Sequence, residues 1–112
     1  MECTFFFEVL APKGLNGLEK PLAESGLGLY IYHSHFNNKN ILRSRGELID
    51  LGMDTSTTDV MHGSGMLFCD FEAAVTSMKK LSTIFEDAGY SHRIGIDDEN
   101  GENTVWINHN FP

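Results

Sequence analysis

The chain is short of positive charge: eight lysines and arginines stand against sixteen aspartates and glutamates, a formal net charge of -8 over 112 residues. A surface so biased repels a phosphate backbone, so a basic partner is expected rather than nucleic acid. Long apolar runs are missing as well, and none approaches the roughly 18 residues that a membrane-spanning helix needs. The opening Met1 to Glu8 has no basic n-region, and Glu8 interrupts its apolar stretch, so it does not read as a signal peptide. A cytoplasmic location is the expectation. Cysteine is scarce: Cys3 and Cys69 are the only two, with no C-x2-C zinc spacing. Adjacent strands could bring the pair into disulfide range, but the expected state is two reduced, buried thiols acting as small apolar residues.

Catalytic signatures are also lacking. No G-x-S-x-G occurs, and Gly26-Leu27-Gly28 and Gly63-Ser64-Gly65 lack the lysine and helix start of a phosphate loop. The serines and histidines show no triad spacing, and Cys69 has no local sign of activation. The chain therefore reads as a binding protein rather than an enzyme, with no cofactor assigned.

What is present is enough apolar residue, 41% of the chain, for one domain spanning 1–112 with a core of its own. Cys3 to Leu10 reads as a strand with Phe5, Phe7 and Val9 on one face and Thr4, Phe6 and Glu8 on the other. Pro12 and Gly14 punctuate its end. Leu15, Leu18 and Leu22 give an apolar stripe to a short helix over about Asn16–Ser25, kinked or shortened by Pro21 and ended by Gly26. Leu27 to Phe36 reads as a second strand, followed by an Asn37–Asn40 turn. The middle is least regular: Arg43 to Glu47 as a hairpin turn between Ile41-Leu42 and Leu48-Ile49, a polar loop over Asp54–Asp59, and a loop at Gly63-Ser64-Gly65. A short strand over Met66–Cys69 leads to Asp70, a good N-cap. Phe71, Ala74, Val75, Met78, Leu81, Phe85 and Ala88 then share one face of a long amphipathic helix closed by Gly89. Asn100-Gly101 predicts a type I′ hairpin that pairs Ile96 with Val105, Gly95 with Trp106 and His92 with His109. The order implies an α+β fold, two helices on one face of a mostly antiparallel sheet, and first of all a ferredoxin-like βαββαβ arrangement with an extra C-terminal strand.

Two constellations carry chemistry. His33 and His35 share a strand face as an H-x-H pair, and His62, His92 or His109 could add ligands; hydrogen-bonded or rim histidines are the plainer reading. Asp97 to Glu102 is no EF-hand loop, because Ile96 occupies the first ligand register. It reads as a charged hairpin tip, or as an acidic loop for a partner. Phe6, Tyr30, Tyr32 and Trp106 all fall on the sheet face opposite the helices. They are covered by the middle segment, used in a homodimer, or available to a cationic protein through aromatic anchors.

With this size, acidity and lack of catalytic motif, the chain resembles the immunity proteins of bacterial toxin systems, contact-dependent growth-inhibition immunity proteins among them. The resemblance rests on the Asp97–Glu102 tip, the acidic spread from Glu47 to Asp59 and the Tyr30/Tyr32/Trp106 set. It implies a one-to-one complex with a basic toxin domain, often a nuclease, whose active site is occluded while carboxylates stand in for phosphates. The partner-binding residues would be Asp97, Asp98, Glu99, Glu102, Trp106, Tyr30, Tyr32, Glu47, Asp50, Asp54 and Asp59. The alternative is a ferredoxin-like small-molecule or metal-binding domain, or a dimeric enzyme, using the clustered histidines. A nucleic-acid mimic from a mobile element shares the charge of the first reading.

Overall fold

The computed structural model describes residues 2–10, 15–33, 40–56 and 60–112, without the side chains of residues 16, 40 and 52–56. Pro12, Gly14, His35, Phe36, most of the Asn37–Asn40 turn and Thr57 to Asp59 lie outside the described residues. Buried Cys3, Phe5, Phe7 and Val9 alternate with the more exposed Thr4, Phe6, Glu8 and Leu10 to make β1 (Cys3–Leu10) a strand, and it becomes the centre of a five-stranded sheet. A 3-10 turn (Asn16–Leu18) leads into α1 (Glu19–Ser25). Pro21 is the third residue of α1, where its missing N–H had no helical acceptor to lose, so the helix survives. Gly26, with φ of 74°, ends it as expected.

β2 (Leu29–His33) starts later than expected because Gly28 also has positive φ, which is not a strand conformation. β2 pairs with β3 (Asn40–Ser44) in a separate antiparallel ladder. β4 (Ile49–Ser56) pairs instead with β5 (Val60–Leu67), so the expected hairpin across Arg43–Glu47 is in fact a crossing between two sheets. Asp54 to Ser56 belong to β4 rather than to a loop. Gly63-Ser64-Gly65 is mid-strand: Gly63 faces the core opposite Phe7, and a Cβ there would stand 2.5 Å from Phe7 Cε1. The glycines make room for the neighbouring strand; they do not break the chain. Of the strand expected over Met66–Cys69, Met66 and Leu67 are the end of β5, whereas Phe68 and Cys69 lie beyond it in a bend.

Helix α2 (Phe71–Asp87) matches its periodicity: Ala74, Met78, Leu81 and Phe85 are fully buried. Asp70 accepts from Ala73 N–H at 2.8 Å, a cap worth about 1 kcal/mol. At the far end Gly89 N–H reaches Glu86 O and Tyr90 N–H reaches Phe85 O, a Schellman closure with Gly89 just past the cap. β6 (His92–Asp97) and β7 (Thr104–His109) complete the sheet in the order β4-β5-β1-β6-β7, every neighbour antiparallel.

This is the expected α+β class, with two helices and a mostly antiparallel sheet. The ferredoxin-like order is not the one found, since that order would return β2 to the sheet of β1. Here Leu29 and Leu42 point inward from the small β2-β3 ladder and are buried in the common core. The ladder thus serves as a cover for the core, and β5, narrowed by glycine, takes the place beside β1. Phe85 of α2 meets Phe7 edge-on, ring centroids 6.1 Å apart, which fixes α2 on the Phe5/Phe7/Ile94/Ile96 face. Among the described residues no helix is long and apolar enough to cross a membrane.

Candidate functional site

The other face of the sheet carries half-buried and exposed side chains in rows that the pairing register defines. One row runs Ser64, Phe6, Gly95, Trp106; the next runs His62, Glu8, Arg93, Asn108. Trp106 sits on the edge strand, 58% exposed, and its ring lies over Gly95, so the expected cross-strand pair holds. A Cβ on Gly95 would stand 2.9 Å from Trp106 Cη2 and Cζ3. Gly95→Ala is therefore expected to lift the ring, cost about 1 kcal/mol by overpacking, and move the emission of this single tryptophan. Unchanged emission would contradict the stacking.

Glu8 is the pivot of this face. Its Oε1 accepts from Arg93 Nε at 2.5 Å and from Arg93 Nη2, and its Oε2 lies 3.5 Å from His62 Nδ1. The Arg93 guanidinium is also 5.6 Å from the Trp106 ring and 5.4 Å from Phe111. A fork held by a carboxylate and flanked by two rings is pre-organised, so the aromatic floor is fixed before any partner arrives. Neither Glu8 nor Arg93 was legible as a site residue. They stand 85 positions apart, and only the β1–β6 pairing makes them neighbours.

The carboxylates converge more than the sequence implied. Asp50, Met66, Thr4 and Asp97 form a single row across four strands, so Asp50 and Asp97 are separated by three strand spacings, roughly 14 Å. Glu2 precedes β1 at this end, Asp70 follows β5, and Glu47 lies in the crossing whose Leu48 carbonyl accepts from Phe68 N–H. The hairpin tip Asp98–Glu102 projects from the same end. The hairpin tip and the Glu47–Asp50 end of the middle acidic stretch, distant in sequence, thus share one rim, with Trp106 one row inward. Asp54 lies farther along β4, opposite Gly63, and its side chain is not described; Asp59 is outside the described residues.

Not every tip carboxylate is available. The expected type I′ turn is replaced by a turn from Asp98 to Gly101, closed by Gly101 N–H to Asp98 O at 3.1 Å, with Gly101 but not Asn100 at positive φ. The cause is Asp98 itself, whose carboxylate accepts from Glu102 N–H at 2.9 Å and Asn103 Nδ2 at 2.7 Å. These bonds, Asn103's first, hold its pKa below the ordinary carboxylate value. Asp97 accepts from the Thr104 hydroxyl. Glu99 and Glu102 are exposed and no described side-chain bond engages their carboxylates.

Tyr30 and Tyr32 do not share the face of Phe6 and Trp106. They stand on the β2-β3 ladder, where Arg45 lies 5.3 Å over the Tyr30 ring and Arg43 4.0 Å over Tyr32. One face of each ring therefore already meets a cation of this chain. The histidines diverge too. His62 is on the open face beside Glu8, whereas His92 is buried on the helix side between Ser82 and the Tyr90 carbonyl, with His109 5.5 Å away. Among the described residues no cluster of three or more His, Cys, Asp or Glu could hold a metal. His35 lies outside them. Cys3 and Cys69 are free thiols, their pKa values raised first by burial. No protein-family model, curated protein or solved structure matches this chain.

Proposed function

We propose that the chain is a stoichiometric binding protein that neutralises a basic toxin domain in the cytoplasm, as its resemblance to toxin immunity proteins implies. A nuclease is the fitting target, its cationic groove filled by carboxylates in place of phosphates. The observation that carries this reading is the single acidic rim at one end of the sheet, bordered by Trp106 on a floor pinned by Glu8 and Arg93. Charge would speed the encounter, and the aromatic anchor would slow release. Inhibition would come from occlusion in a one-to-one complex, without turnover.

The test is copurification with a basic domain encoded beside this chain, followed by charge reversal. Glu99→Lys with Glu102→Lys should weaken the complex at least ~10-fold and flatten its dependence on salt, while leaving the fold intact. Asp97 and Asp98 are unsuited to this reversal because they bond within the hairpin. Binding that survives the double reversal unchanged, at unchanged salt dependence, would remove the rim from the interface.

A further inference from the structure

We propose that the outer edge of β7 receives an extended segment of a basic partner as a sixth strand of the sheet. The inference rests on the reading of a basic protein partner and names how that partner docks.

The sheet has two edges, and they are built differently. β4 is interrupted by a register shift between Leu51 and Met53, carries Asp50, and is tied by Leu51 N–H to Ser44 Oγ of β3 at 2.9 Å. Those are ordinary ways of blunting an edge. β7 has none of them: its six residues include no proline, lysine or carboxylate, and its register with β6 is unbroken. Among the described residues it pairs with β6 alone, apart from an isolated bridge just beyond it between Asn110 and His92.

The hydrogen-bond phase of β7 follows from one bond. Asp98 N–H donates to Asn103 O at 3.0 Å, which makes that pair a bonded one. Alternation then turns Val105 and Ile107 toward β6, and turns the N–H and C=O groups of Thr104, Trp106 and Asn108 outward. An added strand would find a regular array of donors and acceptors there. It would lie beside the exposed Trp106 ring, and Glu99 and Glu102 flank its approach at the start of β7. A second copy of the chain would bring another net charge of -8 to the same place, so charge complementarity selects a lysine- or arginine-bearing strand.

The test uses the whole isotope-labelled protein and a short peptide alternating lysine and valine, with a glutamate–valine peptide as control, at physiological ionic strength. Amide exchange at Thr104, Trp106 and Asn108 should slow by about tenfold or more, while Val105 and Ile107 change little. Thr104→Pro removes an outward donor at the first residue of the strand, a position that tolerates proline, and should abolish the effect. Thr104→Val loses the same hydroxyl bond to Asp97 but keeps the N–H, and should retain it. Signal changes confined to Glu99 and Glu102 would overturn the proposal. So would alternating protection that appears in the protein alone as its concentration rises, which would make a second copy the occupant. A basic domain bound equally well by Thr104→Pro would end strand addition and leave the reading of a basic partner standing. Strand addition by the peptide, with no basic domain bound, would do the reverse.

Discussion

Gly63→Ala is expected to cost about 3 kcal/mol of stability, the upper range for overpacking a core. The added methyl would fall on the Phe7 ring, 2.5 Å from Cε1, and that ring cannot retreat. Phe7 is 1% exposed, stacks beside Phe5 at 6.0 Å between centroids and meets Phe85 at 6.1 Å. The backbone on the other side is held by the ladders to β1 and β4. Urea unfolding of the variant gives the number. Trimming the ring should relieve the conflict, so Phe7→Leu in the Gly63→Ala background should cost less than the sum of the two single changes, with a coupling of roughly 1–2 kcal/mol. Strict additivity would show that the ring does not occupy the space at Gly63.

Acid should destabilise the protein through His92. The imidazole is fully buried, its Nδ1–H donates to the Tyr90 carbonyl at 2.8 Å, and its Nε2 then accepts from the Ser82 hydroxyl at 2.6 Å. Burial, first of all, lowers its pKa from the ordinary 6.5; nearby His109 adds to this, and the Tyr90 bond and Glu86 oppose it. The folded state therefore binds its proton at lower pH than the unfolded chain. The contribution is complete above about pH 6.5 and is lost as pH falls from there toward the folded value, at up to ~1.4 kcal/mol per pH unit. His92→Gln should flatten this part of the stability profile. An identical slope in wild type and variant would show that other groups set the acid response.

The residues explain what could be read early and what could not. The α2 periodicity, its Asp70 cap and the β6–β7 register were all legible, because each depends on neighbours within one helix face or one hairpin. The small α1 was legible for the same reason, even with Pro21 inside it. In the middle of the chain Gly63 and Gly65 do not mark a loop. At Gly63 and Gly95 the missing side chain answers a ring on the adjacent strand, Phe7 in one case and Trp106 in the other. Trp106 opposite Gly95 could be anticipated because one hairpin joins them. Phe7 opposite Gly63 could not, because nothing local announces the β1–β5 pairing.

By itself the sequence determined the charge excess, the α+β class, the long amphipathic helix and the C-terminal hairpin with its aromatic edge. All of these follow from composition or from short-range periodicity. The tertiary structure alone decided which strands neighbour β1, that Tyr30 and Tyr32 leave the main sheet, that Glu8 and Arg93 meet, and that Glu47 and Asp50 share one rim with the hairpin tip. Those outcomes depend on strand pairing across dozens of residues, where many registers satisfy the local pattern and only packing against the common core selects one.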